Sequence, residues 1–187
     1  MTVPKPLRAD AQRSRNALLA TARTVFNTGD FDLRFDDFAQ LAGVGVGTLY
    51  RHFPTREALI EGVYHQEIVT LCDQASHLQA TLPAEEALTT FLRDLINHMD
   101  AHQGLARTLA ILMATRVEAI AEGTQLLERT VTELMVAAVN AGAIRDDIDA
   151  GAVMMAIHSI GSARDHPGWR TLADGVVTLV LDGLRPH

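Results

Sequence analysis

The chain has little of what builds cross-links, spans or anchors. Its one cysteine, Cys72, cannot close an internal disulfide and has no metal-ligand spacing around it, which points to a reducing compartment, the cytoplasm. No run of ~18 uncharged apolar residues occurs, which excludes a spanning helix of ordinary type. Residues 1–10 mix Pro, Lys, Arg and Asp and lack the apolar centre of a signal peptide. A soluble, unexported protein with no membrane partner is expected, with residues 1–10 as a flexible tail. Alternating apolar and polar residues are almost missing, so strands are not expected and the fold class reads as all-α.

Signatures of catalysis are equally scarce. No glycine-rich phosphate loop follows a strand, and Ser159 has no nucleophile-elbow context. Of eight histidines, only His98 and His102 sit four apart on one helix, and no Glu or Cys lies at a recognised ligand interval from them. Neither an enzyme, a metal site nor a cofactor is implied.

What is present begins with apolar content. It reaches 48% over 187 residues, enough for one or two domains with a real core. The net charge is -7, which argues against a polyanionic partner until its distribution is read. Residues 1–60 carry eight Lys or Arg against six acids, whereas 61–187 carry eight against seventeen. One end therefore suits a polyanion, while the other keeps the protein soluble.

Helical spacing organises the chain. Leu18, Ala22, Val25 and Phe26 mark a first helix over 11–28, with Arg13, Arg15 and Arg23 on other faces, ended at Gly29. A second, over 35–42, turns Phe35, Phe38, Ala39 and Ala42 inward and carries Asp36 and Asp37 in its first turn. A third, over 46–52, is broken at Pro54. Thr55 caps a fourth, reaching about residue 76, with Leu59, Val63, Ile68 and Leu71 as its stripe. Beyond Pro83, helices are expected over 84–102, 105–121, 125–141, 150–163 and 169–184, with Leu127, Val131, Leu134 and Ala138 as one inward stripe.

The second and third helices, joined at Gly43, form a helix-turn-helix. Ala39 is small where two helices cross closely, and Gly43 can take the left-handed backbone that the turn requires. Gly45 and Gly47 clear the start of the third helix so that its amides can approach a phosphate. Leu49 and Phe53 point inward, leaving Thr48, Tyr50, Arg51 and His52 as donors for phosphates and base edges in a major groove.

The run Phe38-Ala39-Gln40-Leu41-Ala42-Gly43-Val44-Gly45-Val46-Gly47-Thr48-Leu49-Tyr50-Arg51-His52-Phe53, followed by Pro54-Thr55-Arg56-Glu57-Ala58-Leu59, resembles the tetracycline-repressor (TetR) family of regulators. The resemblance covers about the first third of the chain. It implies an N-terminal three-helix DNA-binding domain, joined by a long helix to a C-terminal helical bundle for ligand binding and dimerisation. It also implies a dimer that binds a palindromic operator, most often as a repressor, and releases it when a small-molecule inducer enters the bundle. Boundaries of 11–71 and 72–187 are expected, with the helix-turn-helix at about 34–53. By the same resemblance Thr48, Tyr50 and His52 look like phosphate or base contacts and Gly47 like the amide approach. Three positions depart from the family pattern. Arg34 stands where a Ser or Thr often caps the second helix. Gly45 and Val46 stand where a Ser and often a Lys occur, and Val46 can instead pack on a thymine methyl. The expected DNA surface is thus Arg34, Gly45, Val46, Gly47, Thr48, Tyr50, Arg51 and His52, with Thr55 and Arg56 beside them.

Phe91, Leu95, His98, Met99, His102, Leu109, Met113, Met135, Met154 and Trp169 are the candidates for an inducer pocket, with a histidine as polar anchor. The same residues also read as ordinary core. Helices 150–163 and 169–184 carry more apolar surface than one face can bury within a monomer, which predicts a four-helix homodimer interface. A second reading, a helical ligand carrier or interaction module without a defined DNA site, draws on the acidic total and on Val46.

Overall fold

A computed structural model of the protein describes residues 6–28, 33–101, 118–163 and 166–186. Eight α-helices and no strand occur among the described residues, as the near absence of alternating patterns predicts. None of these helices is long and apolar enough to cross a membrane. The described residues divide into two compact units, one holding 6–28, 33–66 and 118–120, the other 67–101, 121–163 and 166–186. The division falls at 66/67, five residues before the expected boundary.

The first unit contains α1 (Pro6–Thr28), α2 (Asp37–Leu41), α3 (Val46–His52) and the start of α4 (Arg56–Thr81). Residues 6–10, expected in a flexible tail, belong to helix α1, and Leu7, Arg8 and Ala9 are strong helix formers. Leu18, Ala22, Phe26, Phe38, Ala39, Leu49 and Leu59 are completely buried in one core. The Phe26 and Phe38 rings meet tilted at 5.6 Å.

Helix α2 is shorter than its apolar spacing implies. Ahead of it, the amides of Asp37 and Phe38 bond back three residues to the Arg34 and Phe35 carbonyls, a tighter turn than an α-helix. Its end is a Schellman motif: Gly43 takes φ +67°, its amide donates to the Gln40 carbonyl, and the Val44 amide donates to Ala39. Gly45 then holds an extended backbone as N-cap of α3. Pro54 stops α3, and the Thr55 hydroxyl caps α4 by accepting the Ala58 amide at 3.2 Å.

The second unit holds the rest of α4 with α5 (Ala84–Ala101), α6 (Glu118–Asn140, from residue 121), α7 (Ala150–Ser162) and α8 (Trp169–Gly183). The stripe Leu127, Val131, Leu134 and Ala138 is buried as the spacing requires. Leu88, Phe91, Leu92, Leu95, Ile96, Met154, Ile157 and Val177 of the same unit are buried too. Asp149 caps α7 by accepting the Gly151 amide at 2.7 Å. The Trp169 indole donates to the Ile160 carbonyl at 2.6 Å and so ties the start of α8 to α7. Helix α6 is continuous from Glu118 to Asn140, with no break before the expected start at residue 125. The helix expected over 105–121 lies, up to residue 117, outside the described residues.

Candidate nucleic-acid interface

Helix α3 is seven residues long and divides its side chains between two jobs. Leu49 and, just past its end, Phe53 are buried and anchor it to α1 and α4 residues of the same core. The opposite side is open: Val46 is 44% and Tyr50 45% exposed, four residues apart and therefore on one face. Arg51 is exposed, whereas Thr48 and His52 are half-buried. At Gly47 the space a Cβ would occupy is empty for 4 Å around, and at Gly45 only the Thr48 hydroxyl comes near, at 3.9 Å. The clearance that glycine was expected to provide is therefore there. Arg34 is exposed beside the start of α2.

Two expected members of this surface have other work. The Arg56 guanidinium donates to the Leu33 carbonyl at 2.8 Å and stacks 5.5 Å over the Phe38 ring. It latches α4 to the approach of α2 instead of reaching outward, because a planar cation gains more from a carbonyl and a ring face than from water. Thr55 spends its hydroxyl on the α4 cap.

Two residues absent from the expected surface belong beside it. Asp36 accepts the Tyr50 hydroxyl at 2.8 Å. Phe35 meets the same ring edge-on at 5.3 Å. The bond to Asp36, then partial burial and the adjacent negative charge, push the Tyr50 phenol above its ordinary range. Asp36 and Tyr50 are fourteen residues apart, and no periodicity links them. Arg15 of α1 lies 5.4 Å over the Phe53 ring; its place away from the apolar stripe was the only hint in the sequence.

In the second unit the inducer-pocket candidates separate. Phe91, Leu95, Met135, Met154 and Trp169 are buried, and Trp169 is committed to the fold through its indole. Phe91, Leu95, Met154 and Trp169 line neither of the two clefts described below; filling interior volume is what large apolar side chains at helical spacing do first. His98 and Met99 are half-buried, while His102, Leu109 and Met113 lie outside the described residues. His98 Nε2 stands 3.6 Å from the carboxylate of Glu67, which is itself only 5% exposed. A cleft of about 460 Å³ runs along Glu85, Thr89, Arg93, Thr178 and Asp182. A broader one of about 810 Å³ is edged by Glu128, Met135, Asp146 and Asp149. Among the described residues no group of three or more His, Cys, Asp or Glu could hold a metal ion.

The geometry agrees with what similar proteins are. Residues 18–63 match the model of bacterial regulatory proteins, tetR family. Residues 83–186 match the C-terminal domain of SbtR-like transcriptional regulators, itself a TetR C-terminal domain. A TetR transcriptional regulator of Streptomyces coelicolor, SCO0520, is 41% identical, with 92% of this chain and 98% of that one covered and a TM-score of 0.72. A TetR regulatory protein of Mycobacterium vanbaalenii is 33% identical, with 97% and 100% covered and a TM-score of 0.73. Among curated relatives, the HTH-type transcriptional regulator SAR0097 of Staphylococcus aureus is 33% identical over 64 residues, a third of each chain. The chain belongs to the TetR family of helix-turn-helix, DNA-binding transcriptional regulators.

Proposed function

We propose that the protein acts as a homodimer that binds an inverted-repeat operator through its two α3 helices, represses from it, and leaves it when a small molecule enters the second unit. The observation that carries the dimer is an apolar surface on the last two helices. Leu172 is 54%, Val176 36% and Leu179 71% exposed on one face of the last helix, and Met155 is 72% exposed on the helix before it; apolar side chains grouped on a surface in this way mark an interaction site. A two-fold axis between such surfaces makes the operator an inverted repeat, with half-site centres about 34 Å or a little more apart.

Support for an effector is the pairing of Glu67 with His98 inside the second unit. A carboxylate buried beside an imidazole is a poor source of stability compared with an apolar pair of the same volume, so its presence fits a polar anchor for a ligand. Glu67 lies on α4, which is continuous from Arg56 to Thr81 and contributes residues to both units. A ligand that displaces this helix alters the DNA-binding head, and by linkage operator DNA weakens the ligand by the same factor, typically about 1 to 3 kcal/mol of coupling.

Selection of bound duplexes from a random-sequence pool by the purified protein tests the operator. An enriched inverted repeat is the expected product. Asymmetric single sites, or no enrichment, favour a module without a defined DNA site.

A further inference from the structure

Asp36 stands immediately before α2, where a short acidic side chain ordinarily caps the first amides. It does not do so here: its backbone is helical, at φ -62° and ψ -27°, and its carboxylate makes no capping bond. Its Oδ1 accepts a hydrogen bond from the Tyr50 hydroxyl instead, at 2.8 Å, while Phe35 braces the same ring at 86° between planes. Two contacts thus fix an aromatic side chain that is otherwise 45% exposed on the outer face of α3.

A tyrosine hydroxyl has one proton to donate. With that proton held by Asp36, Tyr50 offers a phosphate oxygen only lone pairs, next to a carboxylate of like charge. Both features oppose a phosphate contact. What the face still offers is the ring and, one helical turn away, the exposed isopropyl group of Val46. Together they make an apolar strip, and the apolar feature of a major groove is the thymine C5-methyl group.

We propose that Asp36 is a selectivity residue of the DNA-binding head, holding the Tyr50 hydroxyl so that Tyr50 and Val46 face thymine methyl groups and Tyr50 is withheld from backbone phosphates. Asp36 acts through Tyr50, as a positioning residue. The inference rests on the operator reading above and narrows the sequence-based reading of Tyr50, a phosphate or base contact, to a base contact.

The test compares affinities for the selected operator and for random duplex at one salt concentration. Asp36→Ala is expected to lower the ratio of the two affinities about fivefold, the range of one lost base contact. Asp36→Asn, whose amide oxygen still accepts the phenol, is expected to keep the ratio within about twofold of the original. In a Tyr50→Phe background, Asp36→Ala is expected to change nothing. Replacing operator thymidine by deoxyuridine is expected to cost the unaltered protein about threefold and the Asp36→Ala variant nothing. An unchanged ratio in Asp36→Ala overturns the proposal, as does an equal drop with and without the Tyr50 hydroxyl, which marks a bare charge effect. Asp36→Asn behaving like Asp36→Ala overturns it too, and equal binding of thymidine and deoxyuridine operators by the unaltered protein overturns the apolar strip. If Asp36→Ala does not fold, Asp36→Leu, of similar size and without an acceptor, carries the same expectations. If no operator is enriched, the operator reading fails on its own. The random duplex then still decides: Asp36→Ala must tighten it about threefold more with Tyr50 intact than with Tyr50→Phe, and an equal or smaller gain with Tyr50 intact overturns the role of Asp36.

Discussion

At the scale of single residues, the same amino acid serves opposite ends at neighbouring positions. Gly43 is required by its backbone, because φ +67° strains any side chain and a β-branched one most. Gly43→Val is expected to lower stability by about 1 to 3 kcal/mol, read as a drop in thermal midpoint. Gly47 lies inside α3 with open space around it, so the fold does not need it. Gly47→Ala is expected to raise stability by about 0.5 to 1 kcal/mol and to weaken DNA binding, because the added methyl stands where the backbone would approach a phosphate. Thermal unfolding and DNA titration of the one variant read both effects; unchanged DNA affinity would show that Gly47 gives no such approach. Cys72 illustrates burial. Desolvation first, with Asp73 and Glu133 adding to it and a bond from Thr130 opposing it, pushes its thiol up. A thiol pushed up in the folded state favours folding below its ordinary range and withdraws that support as pH rises through the folded value. Labelling of the native protein by a thiol reagent at neutral pH is therefore expected to be far slower than after denaturation.

Elements were legible where spacing and punctuation agreed. The third helix was read to the residue, since Gly45, Gly47 and Pro54 bracket it, and the Thr55 cap was visible as a Thr behind a proline. Thr55→Ala is expected to cost about 1 kcal/mol of stability. A boundary went astray where a competing local bond won: α2 starts late because a tight turn precedes it. The site was less legible than the fold. Leu49 and Phe53 follow from periodicity, but the bond from Tyr50 to Asp36, the latch of Arg56 on Leu33 and the stack of Arg15 on Phe53 arise from the angle at which helices cross. No local pattern encodes that angle. Gly62 of α4 shows it best: a Cβ there would come within 2.8 Å of the Phe53 ring and 3.1 Å of the Leu19 side chain. Glycine inside a helix usually costs stability, so Gly62→Ala would ordinarily help. Here the ring must move, and the variant is expected to unfold at a lower temperature and to bind DNA less well because Phe53 anchors the end of α3.

For the whole molecule the account depends on assembly. One α3 helix reaches only a few base pairs, and the affinity of a single head is too small to single out a site among many. Two heads on one axis multiply that discrimination. In the proposed dimer the exposed Met155, Leu172, Val176 and Leu179 supply the contact, and Leu179, being 71% exposed in the single chain, can be altered with little effect on the protomer's own core. Leu179→Lys is expected to leave helicity and thermal unfolding of the protomer cooperative while placing two like charges across the axis, so that sedimentation reports half the mass of the unaltered protein. The most direct measurement titrates an enriched inverted repeat, and the same duplex with one half-site scrambled, with the unaltered protein and with Leu179→Lys. The expected result is two protomers per intact duplex, an affinity lowered at least about a hundredfold by scrambling one half-site, and the same loss for Leu179→Lys on the intact repeat. Equal affinity of the unaltered protein for intact and half-scrambled duplexes, or full affinity of a monomeric Leu179→Lys variant, would contradict the account.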